Sequence, residues 1–346
     1  MTNRLLAHTV SGNVLNTAEA EELMGELLNG RLESPEIAQL LSALNARPYR
    51  AEELAGFARA MRRHATKVFA DGETLPERMV DTCGTGGDDS GTFNISTAAA
   101  IVAAAAGARV AKHGNRAASS KCGSADVLEA LGVPIDLPFE RIGRGIREIG
   151  IGFLFAQAAH TAARHAMPAR KQLGVRTVFN LLGPLTNPAR AQAQVLGVFS
   201  ADVVDVVAET LNMLGTEHAF VVHGNGRLDE ISLSGPTTVA EVRDGRVRKY
   251  ELTPESFGKK AAPLAAIRGC GPVAENAAVI ERIFLGVIES DEDRARRDIV
   301  IVNAAAALVA AEVADNFRDG AAKAENAIGT GRAAAKLQAL REYGRD

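Results

Sequence analysis

Apolar residues recur at helical spacing over the first seventy residues of the chain. Thr17–Asn29 predicts an amphipathic helix that ends at Gly30, and Ser34-Pro35-Glu36 predicts the N-cap and first turn of a second helix, which ends near Asn45. A third helix is predicted over Arg50–Val68. Three short helices can hardly bury their apolar stripes among themselves, so we expect them to pack on another part of the chain or on another subunit.

From residue 79 the pattern changes to short apolar runs that alternate with longer helical segments. The predicted strands are a run that ends at Asp81-Thr82, then Ala108–Ala111, Ile151–Ala156, Ala193–Phe199, His218–His223, Thr237–Val242 and Val247–Leu252. The predicted helices are 98–106, one that ends near Gly132, Pro138–Glu148, 158–182, Ala201–Leu214 and a tail over 272–343 with breaks at Gly286–Asp291, around Gly320 and at Gly329. Asp244-Gly245 predicts a hairpin turn between the last two strands.

This order of elements predicts the fold class and the domains. Alternating strands and helices predict an α/β domain with a central, mostly parallel sheet flanked by helices. We therefore expect a small all-helical N-terminal domain over residues 1–72 and a larger α/β domain over residues 73–346. In such sheets ligands bind at the carboxyl ends of the strands.

Composition narrows the function classes. The chain has 346 residues, 47% of them hydrophobic, and a net charge of −3, so no strongly basic surface for nucleic acid is indicated. Its three cysteines are too few and too scattered for a disulfide framework or a cysteine metal site. We found no uncharged stretch of membrane-spanning length and no signal-peptide pattern, so we expect a cytoplasmic protein without a membrane partner.

A glycine loop, defined here as residues 84–88, follows the first predicted strand. Gly84, Gly86 and Gly87 let a ligand approach bare backbone N–H groups, because no Cβ keeps it away. Asn94-Ile95-Ser96-Thr97 then opens an alanine-rich helix that stops at Gly107. The loop therefore leads into a helix N-terminus, which favours anions.

A second strand and turn repeat the arrangement. Lys112-His113-Gly114-Asn115-Arg116, named here the cationic turn, is followed by the hydroxyls of Ser119, Ser120 and Ser124. Two such turns favour a large polyanionic ligand over two ordinary glycine-rich connections. The missing G-K-[ST] excludes a Walker-A loop, and Asp89 replaces the third glycine of a dinucleotide fingerprint.

The motifs D-x-x-G-T-G-G-D, N-I-S-T, K-H-G-N-R-x-x-S-S and G-S-A-D-V-L-E-A-L-G occur in this order. With Arg170–Gly174, Arg176–Pro188 and Leu228-Asp229-Glu230, they give the chain a resemblance to the anthranilate phosphoribosyltransferase family over nearly its whole length. One stretch departs from the family pattern, because Gln157 and Thr161 stand where family members commonly have prolines. This departure puts the local contacts to the aromatic acid in doubt and leaves the phosphate and metal motifs unaffected.

The resemblance implies transfer of the 5-phosphoribosyl group from phosphoribosyl pyrophosphate (PRPP) to anthranilate, with Mg²⁺ as cofactor, two ions per subunit. The implied PRPP-binding residues are Gly84, Gly87, Asp88, Thr92, Asn94, Ile95, Ser96, Thr97, Lys112, His113, Gly114, Asn115, Arg116, Ala117, Ala118, Ser119, Ser120 and Ser124. The implied anthranilate-binding residues are Gly84, Asn115 and Arg170, and the implied metal ligands are Ser96, Asp229 and Glu230. The resemblance also implies a homodimer formed through the N-terminal helices, with helices from about 165–190 joining that domain.

The residue types suit this reaction. Breaking the ribose C1–O bond places negative charge on the leaving pyrophosphate, so cations and N–H donors should supply most of the catalysis. An aromatic amine is neutral at pH 7, so His113 is assigned a role in the substrate site and not proton abstraction. Two alternatives stay open: a pyrimidine nucleoside phosphorylase of the same fold, which would not need the Asp229-Glu230 pair, and a non-catalytic nucleic-acid-binding relative, which would have a basic groove and eroded magnesium ligands.

Overall fold

The computed structural model describes residues 2–88, 90–117, 122–269 and 271–345. Within these residues the N-terminal part contains the helices α1 (Thr2–Val10), α2 (Thr17–Leu28), α3 (Ser34–Asn45) and α4 (Ala51–His64). The sequence prediction of three helices missed α1 and was wrong about the end of the third. That helix, α4, ends at His64 because Ala65 takes extended backbone angles. The second begins one residue earlier than predicted, with Glu33 as its N-cap.

The larger part is built on a seven-stranded sheet with the order β3-β2-β1-β4-β5-β6-β7. The strands are β1 (Val80–Gly84), β2 (Val110–Gly114), β3 (Ile151–Phe155), β4 (Ala193–Gly197), β5 (His218–Gly224), β6 (Thr237–Arg243) and β7 (Arg246–Leu252). β1 to β5 are parallel, whereas β6 and β7 form an antiparallel hairpin at one edge. Asp244 and Gly245 both have positive φ in the hairpin turn, as predicted.

Helices connect and cover the strands. They are α5 (Ile95–Ala105), α6 (Ser124–Ala130), α7 (Phe139–Glu148), α8 (Ala156–Ala159), α9 (Met167–Leu173), α10 (Val178–Leu182), α11 (Val204–Met213), α12 (Val273–Phe284), α13 (Asp291–Ala310), α14 (Phe317–Gly329) and α15 (Arg332–Tyr343). This arrangement confirms the predicted fold class: a helical N-terminal domain and an α/β domain with a mostly parallel sheet.

Several predicted boundaries were wrong. The first strand, predicted to end at Asp81-Thr82, instead spans Val80–Gly84. The helix predicted over 158–182 is interrupted, because His160 leaves helical geometry and Gly174 ends α9 in the left-handed conformation. The strand predicted at Ala108–Ala111 instead spans Val110–Gly114. Gly320 does not break a helix but lies inside α14, where it allows close contact with the backbone of Ala305 in α13.

Each face of the sheet faces a different core. Val110, Val195 and Phe220 pack with α5 and the C-terminal helices, and the alanines of α5 are small enough for α13 to approach closely. Leu196 and Val221 point to the opposite face and pack with α11 and the N-terminal helices. The alternation expected of strands therefore places the helical domain against one face of the sheet.

The apolar stripes of the N-terminal helices are covered within the same chain. Leu23, Leu40 and Phe57 are fully buried in a core shared with residues 166–185 and α11. This confirms the expectation that the three N-terminal helices pack on another part of the chain. In the part of the chain that the structure describes, no helix combines the length and apolarity needed to cross a membrane.

Candidate active site

The site lies at the carboxyl ends of β1 and β4, where the connection order of the parallel sheet reverses. Gly84 and Gly197 are register partners at this point. Asp229 approaches both so closely that a Cβ at Gly84 would collide with its carboxylate, and a Cβ at Gly197 would collide with its backbone. Two glycines at the switch point therefore make room for an acidic residue that is distant in sequence.

The glycine loop is folded onto Asp229. The backbone N–H of Gly86 donates to Asp229 Oδ2 at 2.9 Å, and the N–H of Asp229 donates to Asp88 Oδ2 at 3.3 Å. Gly86 and Gly87 have φ values of 65° and 72°, which residues with a side chain adopt only at a cost. The loop brings Gly84, Asp88 and Asp229 into one small region, although about 140 residues separate the acids.

Three carboxylates repel one another in this region. The pKa of Asp229 is raised to about 7, mainly by burial and to a smaller extent by the negative charge of the nearby Asp88. The pKa of Glu230 is raised well above its usual range, mainly by burial and to a smaller extent by the charge of Asp229. Glu230 Oε1 accepts a hydrogen bond from the backbone N–H of Ser96 at 3.0 Å, at the first turn of α5. The cluster therefore favours a bound cation.

Lys112 supplies positive charge next to these acids. It is 3% exposed, and its Nζ donates to the carbonyl of Thr82 at 2.6 Å and lies 3.5 Å from Ser96 Oγ. Burial lowers its pKa, and Asp81 opposes that change. Asp81 in turn accepts from the backbone N–H of His113 at 3.0 Å, so this buried acid fixes the start of the cationic turn.

The donor set suits Mg²⁺. Asp229, Glu230 and Ser96 offer only oxygen ligands. The carboxylate of Asp229 lies close enough to Glu230 to raise its pKa, so a cation next to both would be stabilised. Among the residues that the structure describes, no three His, Cys, Asp or Glu side chains form a complete metal-binding group. Mg²⁺ commonly takes one or two carboxylates and completes its shell with water and substrate phosphates, so an incomplete protein set fits it.

The cationic turn is held by α6. The Ser124 hydroxyl makes two hydrogen bonds with the backbone of Asn115. Its Oγ accepts from the N–H of Asn115 at 3.1 Å, and it donates to the carbonyl oxygen of Asn115 at 3.2 Å. Asp126 accepts from the N–H of Ala117 at 2.9 Å. Gly114 has no room for a Cβ, because Ser124 and Phe153 lie against it. The predicted residues Ala118, Ser119 and Ser120 lie outside the described residues.

Arg116 is less available for a phosphate than the sequence suggested. Its guanidinium bonds to Asp126 at 2.9 Å and to Glu129 at 2.5 Å. These side-chain hydrogen bonds raise the pKa of Arg116 above its usual value, and the bond to Glu129 has the larger effect. A phosphate would therefore have to compete with two carboxylates for Arg116, whereas Lys112 Nζ lies 3.5 Å from Ser96 Oγ at the start of α5.

The N-terminus of α5 leaves two buried polar atoms free within the described residues. Asn94 occupies the N-cap position as predicted, but its amide donates to the carbonyl of Cys122 at 3.1 Å, and its Oδ1 has no partner there. Thr97 Oγ1 is also without a partner in that set. Ile95 is buried in the core, and Thr92 pairs through its backbone with Arg268. Asn94 and Thr97 thus retain capacity for a polar ligand.

Two histidines pack edge to face with ring centroids 5.2 Å apart. The pKa of His113 lies well below its usual value, mainly because of burial and secondly because of electrostatic repulsion from His160. Burial lowers the pKa of His160 to about 4. Both are therefore neutral at pH 7. Gln157, which stands at one of the departing positions, donates to Asn115 Oδ1 at 3.2 Å. The sequence does not indicate this contact, because the two residues are 42 positions apart and no local pattern links them.

Two arginines lie on the segment that carries α9 and α10. Arg170 stacks on Phe179 at 5.2 Å, burial lowers its pKa, and no carboxylate of the described residues pairs with it. Among the predicted site residues that the structure describes, none is in direct contact with Arg170. Arg176 donates from Nη1 to the carbonyl of Gly87 at 2.5 Å and stacks on Phe199 at 4.6 Å. Arg176 belongs to one of the motifs in the sequence, but no local signal in the sequence indicates this contact.

Two family models match the chain. The one described as "Glycosyl transferase family, a/b domain" covers residues 76–334, and "Glycosyl transferase family, helical bundle domain" covers residues 3–65. The helical bundle, the sheet and the glycine loop at its switch point thus define a glycosyltransferase of this two-domain class.

Relatives specify the family further. An anthranilate phosphoribosyltransferase from Desulfatibacillum aliphaticivorans is 48% identical over 343 residues, which cover 99% of this chain and 98% of that protein. The crystal structure of the enzyme of that name from Thermus thermophilus matches with a TM-score of 0.91 and 45% identity, covering 99% of each chain. The Saccharomyces cerevisiae enzyme in complex with PRPP and Mg matches with a TM-score of 0.87 and 27% identity, covering 99% of this chain and 98% of that one. The present chain belongs to the anthranilate phosphoribosyltransferase family.

Proposed function

We propose that this protein transfers the 5-phosphoribosyl group of PRPP to the amine of anthranilate, giving N-(5-phosphoribosyl)anthranilate and pyrophosphate. The observation that carries the proposal is the meeting of Asp229 and Glu230 with the glycine loop and Ser96 at the switch point of the sheet. An acid cluster next to N–H donors and Lys112 suits a magnesium-bound pyrophosphate, since the metal and the donors would share its charge.

Each part of the site has a proposed task. Backbone N–H groups of the glycine loop, the α5 N-terminus and Lys112 would bind the phosphates and stabilise the charge that develops on the leaving group. Mg²⁺, held by Asp229, Glu230 and Ser96, would neutralise part of that charge when bound. Asn115 and Ser124 would position the second anion-binding turn, and neutral His113 would line the site without removing a proton.

Arg170 is proposed to bind the carboxylate of anthranilate. Its partly buried guanidinium has no acidic partner among the described residues, so its charge is available for a ligand. A planar fork matches a carboxylate better than a point charge does. Gly84 and Asn115 are proposed to border the aromatic acid, and the effect of Gln157 on this border stays a prediction.

Both alternatives from the sequence are less well supported. A pyrimidine nucleoside phosphorylase would have no use for the acid cluster at Asp229 and Glu230, and the close relatives described above are anthranilate phosphoribosyltransferases. A nucleic-acid-binding relative would need a basic groove, whereas Arg116 and several other arginines are paired with acids.

The test is a fluorescence assay of anthranilate consumption with PRPP and Mg²⁺. Asp229→Asn combined with Glu230→Gln should lower turnover at least about a hundredfold, because two proposed metal ligands lose their charge. Folding should persist, since removal of clustered like charges relieves repulsion. The matched control is Asp291→Asn with Glu292→Gln, an adjacent exposed pair at the start of α13. Wild-type activity of the first variant at limiting Mg²⁺ would contradict the assignment.

Four further statements about domains, metal content and location accompany this function. The division into residues 1–72 and 73–346 is supported by the family models, and packing of α9 on α3 and of α10 on α3 and α4 supports the joining of residues 165–190 to the N-terminal domain. Two magnesium ions per subunit and a cytoplasmic location stay predictions. Metal titration by calorimetry with PRPP present would count the ions.

A further inference from the structure

Arg176 connects the helical domain with the glycine loop. Its backbone carbonyl accepts a hydrogen bond from Asn45 Nδ2 at 2.6 Å, at the end of α3, and Tyr49 donates to Asn45 Oδ1 at 2.7 Å. Its side chain extends to the α/β domain and donates to the carbonyl of Gly87 at 2.5 Å. A continuous path of polar contacts therefore leads from α3 to the loop, through one residue.

The segment that carries Arg176 is fixed at both ends. Gly174 ends α9 in the left-handed conformation, and Thr177 is the N-cap of α10, where its backbone N–H donates to Asn180 Oδ1 at 3.1 Å. Only Val175 and Arg176 lie between these caps. A short segment held by two helix caps has little freedom, so the position of the Arg176 backbone follows the helices on which it depends.

The side chain of Arg176 is also oriented on the α/β side. Its guanidinium stacks on Phe199 at 4.6 Å, and the N–H of Phe199 donates to Thr85 Oγ1 at 3.0 Å. Thr85 itself donates its N–H to the carbonyl of Gly197 at 2.9 Å. The stacked ring and the glycine loop thus form one unit, to which a planar cation adds a second attachment.

The contact to Gly87 has a consequence for the phosphate-binding face of the loop. In a trans peptide the C=O of one residue and the N–H of the next point in opposite directions. A Gly87 carbonyl held by Arg176 therefore directs the N–H of Asp88 to the opposite side of the chain. Gly87 has φ of 72° and no side chain, so without this contact the peptide could rotate at little cost.

We propose that Arg176 is a positioning residue that couples the placement of the helical domain to the conformation of the glycine loop. Arg176 does not touch the reacting atoms in this proposal. It orients the Gly87–Asp88 peptide for the phosphates and ties that orientation to Asn45 on α3. The kinetic part of the proposal rests on the function proposed above, whereas the structural coupling does not.

The experiment uses the full chain with Arg176→Gln, Arg176→Lys and Asn45→Ala. Steady-state kinetics give KM for PRPP and for anthranilate, and hydrogen–deuterium exchange of the ligand-free protein reports on the peptide containing residues 84–88. The matched control is Arg248→Gln, because Arg248 also stacks on an aromatic ring, Tyr250 at 5.6 Å, but lies on β7 at the edge of the sheet.

Arg176→Gln should raise KM for PRPP about tenfold, leave KM for anthranilate within about twofold and speed amide exchange in the loop, because a charged donor to a backbone carbonyl is lost. Arg176→Lys should give an intermediate effect, since it keeps the charge but loses the planar fork. Asn45→Ala should shift KM for PRPP and loop exchange in the same direction by a smaller factor. On the Arg176→Gln background it should add almost nothing.

Several results would overturn the coupling. Unchanged loop exchange in Arg176→Gln, an effect of Asn45→Ala that adds fully to that of Arg176→Gln, or a larger change in KM for anthranilate than for PRPP would each do so. If Arg176→Gln fails to fold by circular dichroism, Arg176→Lys and Asn45→Ala decide the question by the same readouts. If the wild-type protein transfers no phosphoribosyl group, the proposed function fails, and loop exchange still tests the coupling.

Discussion

At the scale of single residues, burial determines the charge of the histidine pair. His113 and His160 are neutral in the folded protein down to a pH well below the usual histidine pKa of about 6.5, and His160 titrates at about 4. The unfolded chain takes up protons on both as the pH falls below about 6.5. The folded state is therefore disfavoured progressively between pH 6.5 and 4, and above pH 6.5 the pair has no such effect.

Replacement of His160 should remove part of this acid sensitivity. The free energy of unfolding should fall less between pH 7.5 and pH 5 in His160→Gln than in the wild type, by about 1 to 2 kcal/mol. The reason is that glutamine cannot take up a proton in the unfolded chain, as the histidine does. Urea unfolding at both pH values measures the difference. His8→Gln, at an exposed position of α1, is the control, and an identical pH dependence in wild type and His160→Gln would contradict the argument.

Arg170 gives a second prediction at this scale. Loss of a charge-assisted partner costs about 2 to 5 kcal/mol when the pair is desolvated, and the partial exposure of Arg170 argues for the lower end. Arg170→Ala should therefore raise KM for anthranilate about tenfold or more and change KM for PRPP little. Arg170→Lys should restore part of the loss.

Lys171→Ala, on the exposed side of the same helix, is the matched control for Arg170→Ala. Equal damage to both Michaelis constants would show that Arg170 supports the fold. The carboxylate of anthranilate would then need another partner, and Arg164 would be the next to test.

At the scale of elements, glycine has different roles according to its neighbours. Gly174 ends a helix, but Gly320 lies within α14 because α13 packs against it. A Cβ at Gly320 would lie 2.8 Å from the carbonyl oxygen of Ala305, a backbone atom that cannot move without displacing α13. The same residue type that predicted a helix break instead permits two helices to touch.

Two substitutions in α14 separate propensity from packing. Gly320→Ala should lower the free energy of unfolding by about 1 to 3 kcal/mol, because the added methyl group forces α13 and α14 apart. A Cβ added at Gly329 in the same helix has no neighbouring heavy atom of the described residues within 4 Å, so Gly329→Ala should leave stability unchanged or raise it by up to about 1 kcal/mol. Urea unfolding of both variants is the measurement, and equal stability of the two would contradict the packing argument.

At the scale of the whole molecule, the homodimer expected through residues 1–70 stays a proposal. The apolar stripes that suggested it are buried within the chain, so they no longer support it. What supports it is a smaller feature: Val10 and Val14 are each 44% exposed near α1, whose residues Leu5 and His8 line a cleft of about 400 Å³. Exposed apolar side chains next to a cleft favour contact with a second copy.

The assembly prediction is tested by sedimentation at micromolar concentration. The wild-type protein should sediment as a dimer, and Val10→Asp with Val14→Asp should shift it to monomer, because two charges would be buried without partners. Leu285→Asp, at a residue that is 70% exposed outside this region, should not change the sedimentation. A monomeric wild-type protein would refute the proposal.

The sequence by itself determined the features that depend on neighbours along the chain. Helical spacing predicted that α3 ends near Asn45, Asp244-Gly245 predicted the hairpin, and alternating segments predicted the parallel sheet. Motif resemblance indicated the family, which the comparisons confirm. These signals survive in sequence because turns, caps and periodicity act over a few residues.

Only the tertiary structure decided which distant groups meet and how burial changes them. It placed Asp229 against Gly84 and Gly86, paired Arg116 with acids of α6, and joined Arg176 to the glycine loop. The raised pKa of Asp229 also has no signature in the chain, because it arises from loss of water and from Asp88, brought near by folding. The contacts of Asp229 and of Arg176 join residues about 90 to 145 positions apart, so they depend on how the helices and the sheet pack, and local sequence signals do not specify that packing.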